Sequence, residues 1–162
     1  MAKSVLCDVN IWLDFYFGDR KGHAAARRLV LQGQKKGLGF MVPASCLSDF
    51  FFVCQASFKR GVFEKYGSVN DGQGAAAREG AWAAMESLLR IATVVGTDMS
   101  DAEIALKLKD VHRDYEDDLV IAAAMRAKPD CLVTRDAKLQ AKSPVLALTA
   151  EEACSYYGLD AQ

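Results

Sequence analysis

The chain has 162 residues, of which 51% are hydrophobic and 25% are charged, and its formal net charge is −1 at pH 7. This length and composition predict one globular domain over residues 1–162. The near-neutral charge excludes a general attraction to nucleic acid, so such a partner would need a local basic patch or bound metal ions. No apolar run approaches the roughly 18 residues of a membrane span, and no signal-peptide core is recognised. We therefore expect a cytoplasmic protein with no membrane partner.

The first half of the chain alternates apolar strands with helices. In chain order, the pattern predicts a strand at 4–9, a short helix at 11–17, a helix at about 20–36, a strand at 38–42 and a buried helix whose first turn contains Pro43. Four glycines within residues 61–74 then predict a loop or frayed region.

The second half continues the alternation. The pattern predicts a helix at 75–90, a strand at 92–95, a helix from Ser100 to about Val111, a helix at 114–128, strands at 131–134 and 145–148, and a terminal helix that begins at Thr149. The segments 100–103 and 149–152 have the form of capping boxes. Strands that alternate with helices predict an α/β fold, with a mostly parallel sheet of about four or five strands and helices on both faces.

The five cysteines form an odd set, lie mostly in apolar segments and lack the close spacing of zinc ligands: Cys7, Cys46, Cys54, Cys131 and Cys154. We expect them to be reduced residues of the core.

Four aspartates far apart in the chain stand at the end of a predicted strand or in the first turns of a predicted helix: Asp8, Asp49, Asp117 and Asp136. In open α/β sheets, ligands gather outside the carboxyl ends of the strands. Hard cations such as Mg²⁺ and Mn²⁺ prefer carboxylates and water, so the pattern predicts a metal site. Such an ion can activate a water for attack on a phosphodiester.

Each of these acids also has a structural interpretation. Asp8 could lie in an ordinary turn, Asp49 could pair with an arginine, and Asp136 could form an Asx turn. Asp117 could stabilise a helix N-terminus behind the N-cap Asp114. However, five of the nine residues from 110 to 118 are acidic, which is more than capping requires. Helical spacing predicts that at least one of them points toward the protein.

At this point the chain resembles the PIN-domain nucleases, in particular the toxins of VapBC-like toxin–antitoxin pairs. Four segments carry the resemblance: Leu6-Cys-Asp-Val-Asn10, Pro43-Ala-Ser-Cys-Leu-Ser-Asp49, Asp114-Tyr-Glu-Asp117 and Val133-Thr-Arg-Asp136. The resemblance implies a metal-dependent ribonuclease in which the four aspartates line a Mg²⁺ or Mn²⁺ pocket. It further implies support from Asn10, Asp114 and Thr134, a homodimer, and an antitoxin segment that covers the acidic groove. The chain departs from the family pattern at Asp49, where glutamate is more common.

An RNA substrate would need cations near the acids, and Arg135 and Lys138 are candidates. Trp12, Phe15 and Tyr16 follow Asp8, but their spacing favours core or dimer packing over base stacking.

Two alternatives remain open from the sequence. One is an RNA-binding or regulatory module with an impaired nuclease site, which the aspartate at position 49 favours. The other is a haloacid-dehalogenase-like Mg²⁺ phosphatase with Asp8 as nucleophile, which the presence of Asn10 at the second position of an Asp-x-Asp motif disfavours.

Overall fold

A sheet of five parallel strands forms the centre of the computed structural model, which describes residues 3–109 and 114–159. The strands are β1 (Ser4–Cys7), β2 (Gly39–Pro43), β3 (Ala92–Val95), β4 (Cys131–Val133) and β5 (Ala147–Leu148). Their order across the sheet is β3-β2-β1-β4-β5. The predicted α/β class and strand number are therefore confirmed, and every pairing in the sheet is parallel.

Helices connect the strands. Their bounds are α1 (Val9–Tyr16), α2 (His23–Lys35), α3 (Cys46–Tyr66), α4 (Asp71–Ile91), α5 (Met99–Leu108), α6 (Tyr115–Ala127), α7 (Ala137–Lys142) and α8 (Ala150–Tyr156). Within residues 3–109 and 114–159, no helix is both long enough and apolar enough to cross a bilayer.

The strand order places a topological switch point between β1 and β4. From β1 the chain adds β2 and β3 on one side, and then adds β4 and β5 on the other. Cys7 pairs with Val133, and the amide of Asp8 donates to the carbonyl of Val133 at 2.9 Å. The two central strands therefore end side by side, and ligands of open α/β sheets bind at such a point.

The core lies on both faces of the central strands. Val5, Leu6 and Leu132 are fully buried, as expected for a parallel strand covered by helices on both sides. Trp12 is also fully buried, and its indole nitrogen donates to the carbonyl of Cys7 at 3.2 Å. Trp12 therefore packs in the core, which is one of the two locations that its spacing favoured over base stacking. All five cysteines are buried, which confirms their predicted place in the core, and none of them forms a disulfide.

The predicted loop at 61–74 is wrong. Helix α3 continues through Gly61 to Tyr66, and α4 begins at Asp71, so the connection is a turn of four residues. Tertiary packing outweighs the low helix propensity of glycine here, because α3 and α4 pack against each other along their length. The packing is close at Gly80, where an added Cβ would lie 3.1 Å from the Phe58 ring.

Two helix starts also differ from prediction. Pro43 is the last residue of β2, where it pairs with Val95, and it does not lie in the following helix. Helix α5 begins at Met99 with Asp98 as its N-cap, because the Asp98 carboxylate accepts from the Ser100 amide at 2.8 Å. The actual capping box joins Asp98 to Asp101.

The predicted end of α5 near Val111 lies outside the described residues. The capping box of Thr149 and Glu152 is confirmed, as is Asp114 as the N-cap of α6.

A buried ion pair holds the turn between α1 and α2. Asp14 is completely buried, and its Oδ1 accepts from Arg20 Nε at 2.6 Å. Arg135 Nη1 lies 3.1 Å from Asp14 Oδ2. His23 Nδ1 donates to the Asp14 carbonyl at 2.8 Å. A buried carboxylate is tolerated only when it is paired, so these contacts fix the path of the turn.

Gly22→Ala should strongly destabilise the protein. An added Cβ would lie 2.0 Å from Asp14 Oδ2, so the methyl group must displace the buried carboxylate from its arginines. We expect a loss of about 2–4 kcal/mol in the free energy of unfolding, measured by urea denaturation. Gly61→Ala is the matched control, since no heavy atom lies within 4 Å of its added Cβ. It should gain about 0.5–1 kcal/mol from helix propensity. An unchanged urea midpoint for Gly22→Ala would contradict the prediction.

Candidate metal site

Asp8 lies at the switch point, between the end of β1 and the start of α1. Its side chain is the N-cap of α1, where Oδ1 accepts from the Val9 amide at 2.6 Å. Its Oδ2 accepts from the Thr134 hydroxyl at 2.9 Å. Asp8 is only 4% exposed and Thr134 is fully buried. The carboxylate is therefore held rigidly, while each oxygen retains a further lone pair.

Asp136 is joined to Asp8 through Thr134. The Asp136 amide donates to the Thr134 hydroxyl oxygen at 3.1 Å. The same hydroxyl thus orients both acidic residues. Oδ1 of Asp136 caps α7 by accepting from the amides of Lys138 and Leu139 at 2.7 and 3.0 Å. Both capping bonds use Oδ1, so they leave the direction of Oδ2 open to a ligand.

The Asp136 carboxylate affects the ionisation of Asp8. Burial raises the pKa of Asp8, and the nearby Asp136 carboxylate raises it further. Hydrogen bonds from Thr134, Val9 and Asn10 oppose the rise. Two like charges near a buried position favour a cation between them.

Asp49 lies in the first turn of α3, where it is exposed. Its position relative to Asp8 can be judged from Cys46, the first residue of the same helix. Burial raises the pKa of the Cys46 thiol to about 12, and the carboxylates of Asp8 and Asp49 both contribute. Asp8 and Asp49 therefore both lie near Cys46, with Asp49 on the solvent-exposed side.

Asp114 and Asp117 lie at the start of α6. Asp114 is exposed, and its Oδ1 accepts from the amides of Glu116 and Asp117 at 3.0 and 3.4 Å. Asp117 is half-buried at the predicted third helical position. Asp118 is 2% exposed, which confirms that one acid of this run points inward. Only three residues separate the end of α6 from β4, so α6 runs antiparallel to the strands and begins at their carboxyl edge.

All four predicted acids therefore stand at helix N-termini along one edge of the sheet: Asp8 at α1, Asp49 at α3, Asp117 at α6 and Asp136 at α7. Each helix dipole stabilises a carboxylate there by roughly 0.3–1 kcal/mol. In the described part of the chain, no three acidic, histidine or cysteine side chains are close enough to hold a metal ion together. The acids linked by a shared contact are Asp8 and Asp136.

This pair fits a hard divalent cation. Mg²⁺ is commonly held by one or two carboxylates and otherwise by water. A buried carboxylate with a second carboxylate nearby, both fixed by hydrogen bonds, supplies that donor set.

The predicted substrate cations differ in their surroundings. Lys138 is exposed in the first turn of α7. Arg135 contacts the buried Asp14, a residue that the sequence-based search for site residues overlooked. The sequence does contain a signal for Asp14, which is the only acid in the apolar helix α1. A lone acid in an apolar helix is also the feature that marked Asp49 in α3.

The family model of the PIN domain matches residues 4–138. The chain belongs to the PIN-domain family. The match includes Asp8, Asp49, Asp117 and Asp136, so all four predicted acids lie within the PIN domain. A comparison with curated proteins found no match.

Several solved structures share this PIN fold. VapBC2 from Rickettsia felis, bound to a promoter DNA fragment, has a TM-score of 0.61 at 12% identity, over 90% of this chain and 98% of that chain. VapC20 of Mycobacterium tuberculosis, a toxin that cleaves the sarcin-ricin loop, has a TM-score of 0.57 at 14% identity, over 85% and 93%. FitAcB from Neisseria gonorrhoeae has a TM-score of 0.60 at 12% identity, over 90% and 97%. These similarities establish a common fold.

Asp8→Asn should stabilise the metal-free PIN domain. Because the pKa of Asp8 is raised, ionised Asp8 destabilises the folded state, and the amide removes that charge while it still caps α1. We expect a higher midpoint of thermal unfolding at neutral pH, by about 2–4 °C for each kcal/mol regained.

The gain should shrink as the pH falls toward the ordinary carboxyl range, because the wild-type side chain is then protonated in both states. Asp49→Asn, at an exposed position in the first turn of α3, is the control and should lower the midpoint slightly, since it loses only the interaction with the helix dipole. An unchanged or lower midpoint for Asp8→Asn at neutral pH would argue against a destabilising charge at this position.

Proposed function

We propose that this PIN domain is a metal-dependent endoribonuclease, the toxin of a toxin–antitoxin pair, which acts in the cytoplasm. The observation that carries the proposal is the rigid link from Asp8 through Thr134 to Asp136 at the topological switch point. A second carboxylate near a buried one is costly for stability and is expected where it serves a ligand.

In this proposal all four acids hold Mg²⁺ or Mn²⁺, with Asp8 and Asp136 as the central ligands and Asp117 and Asp49 as further ligands at the same edge. The bound ion would supply an activated water and would stabilise the charge that develops on the leaving oxygen. Thr134 orients the two central carboxylates by hydrogen bonds.

Asn10 and Asp114 have supporting roles. The Asn10 side chain stabilises the charged form of Asp8 and accepts from Arg20 Nη2 at 3.3 Å, so it is itself held in place. Asp114 fixes the first turn of α6 and with it the position of Asp117. Arg135 and Lys138 would bind the RNA backbone.

The proposed partners are an antitoxin and a second copy of the chain. Similarity to toxin–antitoxin complexes from several bacteria supports the antitoxin. Large apolar side chains exposed on α3 and α4 support a protein partner in general, because Phe52 and Trp82 both contact Phe51 and so form a patch that a partner could cover. They include Phe52, Phe63 and Trp82, which are 63%, 57% and 56% exposed.

Asp49 favours a second candidate, an RNA-binding PIN module with an impaired site. Its carboxylate is exposed and is one methylene shorter than the glutamate implied by the resemblance. Such a module would bind RNA under saturating Mn²⁺ without cleaving it.

The test of the proposed activity is cleavage of structured and single-stranded RNA by the wild-type protein with Mn²⁺. Asp8→Asn and Asp117→Asn should each lower the rate by at least about 10²-fold, since each removes a charged metal ligand. Both variants should retain the wild-type circular dichroism spectrum. Cleavage that persists in EDTA, or in the double variant, would refute the proposed mechanism.

Asp49→Glu tests whether this position belongs to the site. The longer side chain would bring the carboxylate nearer to Asp8 from the solvent side, so we expect the Mn²⁺ concentration for half-maximal cleavage to fall several-fold. Asp49→Gln introduces a side chain as long as glutamate but without the charge, so it should raise the Mn²⁺ concentration for half-maximal cleavage. If neither variant alters the metal dependence, Asp49 does not hold the ion.

A further inference from the structure

A cavity beside Asp136 has features that metal binding leaves unexplained. Its volume is about 500 Å³, and it is lined by Asn10, Lys21, Gly22, Arg135, Asp136 and Glu151. Two cations thus share a cavity with one of the proposed metal ligands. Glu151 lies in the first turn of α8, where the helix dipole accounts for a carboxylate.

The arginine of this cavity belongs to an unusual ion group. Arg20 and Arg135 both contact the single carboxylate of Asp14, whose side chain is 1% exposed. One arginine would suffice to neutralise a buried carboxylate, so the group keeps one uncompensated positive charge. The Arg135 side chain is 39% exposed, compared with 26% for Arg20, so solvent reaches the cation that lines the cavity more readily.

At Gly22 the backbone passes close to Arg135 and to its partner Asp14. A Cβ at Gly22 would lie 2.0 Å from Asp14 Oδ2 and 3.3 Å from Arg135 Cδ. The absence of a side chain therefore lets the turn before α2 approach both partners closely. It also brings the neighbouring Lys21 to the same cavity. Lys21 is exposed and forms no ion pair within residues 3–109 and 114–159, so its ammonium group is available to a ligand.

The geometry points to a binding subsite in this cavity for a backbone phosphate of the RNA, adjacent to the phosphate that is cleaved. Lys21 and Arg135 contact this phosphate, and Asp14 is a positioning residue that acts through Arg135. The ion pair with Asp14 holds the Arg135 guanidinium beside the cavity, and the remaining donors of that group suit a tetrahedral phosphate. This inference rests on the proposed function, since it assigns part of the same substrate.

The test uses the full chain with Asp8→Asn as the background. It measures binding of a short fluorescein-labelled single-stranded RNA with Mg²⁺ over a series of salt concentrations. Lys21→Met and Arg135→Met should each weaken binding by about five-fold and reduce the slope of log affinity against log salt by about 0.7, the value for one phosphate contact on a single strand. Arg135→Lys should restore the slope because it keeps the charge.

Lys35→Met is the matched control, because Lys35 is an exposed lysine at the opposite end of α2, roughly 20 Å from Lys21 along the helix. It should leave the slope unchanged. In otherwise wild-type protein, Lys21→Met and Arg135→Met should raise KM with kcat within about two-fold, since they remove binding that is equal in the ground and transition states. If Arg135→Met unfolds because Asp14 loses a partner, Lys21→Met by itself still tests the subsite.

Slopes for Lys21→Met and any folded Arg135→Met equal to that of Lys35→Met would overturn the subsite, whether or not the wild-type protein cleaves RNA. Reduced slopes in a protein that binds RNA but never cleaves it would support the subsite and refute the proposed nuclease. Absence of RNA binding by every variant would overturn both.

Discussion

The hydrogen bond from the Thr134 hydroxyl to the Asp8 carboxylate, 2.9 Å long, is the contact around which the candidate site is organised. It exists because β1 and β4 are parallel neighbours in a register that pairs Cys7 with Val133. A shift of one residue in that register would turn Thr134 to the opposite face of the sheet. The apolar strands that form the core therefore also determine the geometry of the polar edge.

The same edge collects the N-termini of four helices, and this arrangement explains how several carboxylates coexist there. Amides at the starts of α1 and α7 donate directly to Asp8 and Asp136, and the dipoles of α3 and α6 favour Asp49 and Asp117. Burial nevertheless raises the pKa of Asp8, so these donors do not fully compensate the charge. The remaining imbalance is what a divalent cation would relieve.

A second polar group lies beside the first and has the opposite charge. Arg20 and Arg135 pair with the buried Asp14 in an ion group with excess positive charge, whereas Asp8 and Asp136 have excess negative charge. The two groups meet at adjacent residues of the chain. Arg135 pairs with Asp14 in the positive group, and Asp136 belongs to the negative pair. The proposed metal ion and the proposed RNA phosphate would therefore bind at neighbouring positions, the ion at the acidic edge and the phosphate at Lys21 and Arg135 of the adjoining cavity.

The sequence by itself determined the strand and helix alternation, the class of fold, the core cysteines and the candidate acids, because periodicity and capping chemistry are local. It did not determine that α3 and α4 extend into residues 61–74, because the packing of the two helices against each other outweighs the low helix propensity of the glycines there. Nor did it reveal that Asp49 is exposed or that Asp14 binds Arg135, which lies 121 residues away. Only the tertiary structure decided these points, because burial and long-range ion pairs depend on which elements pack together.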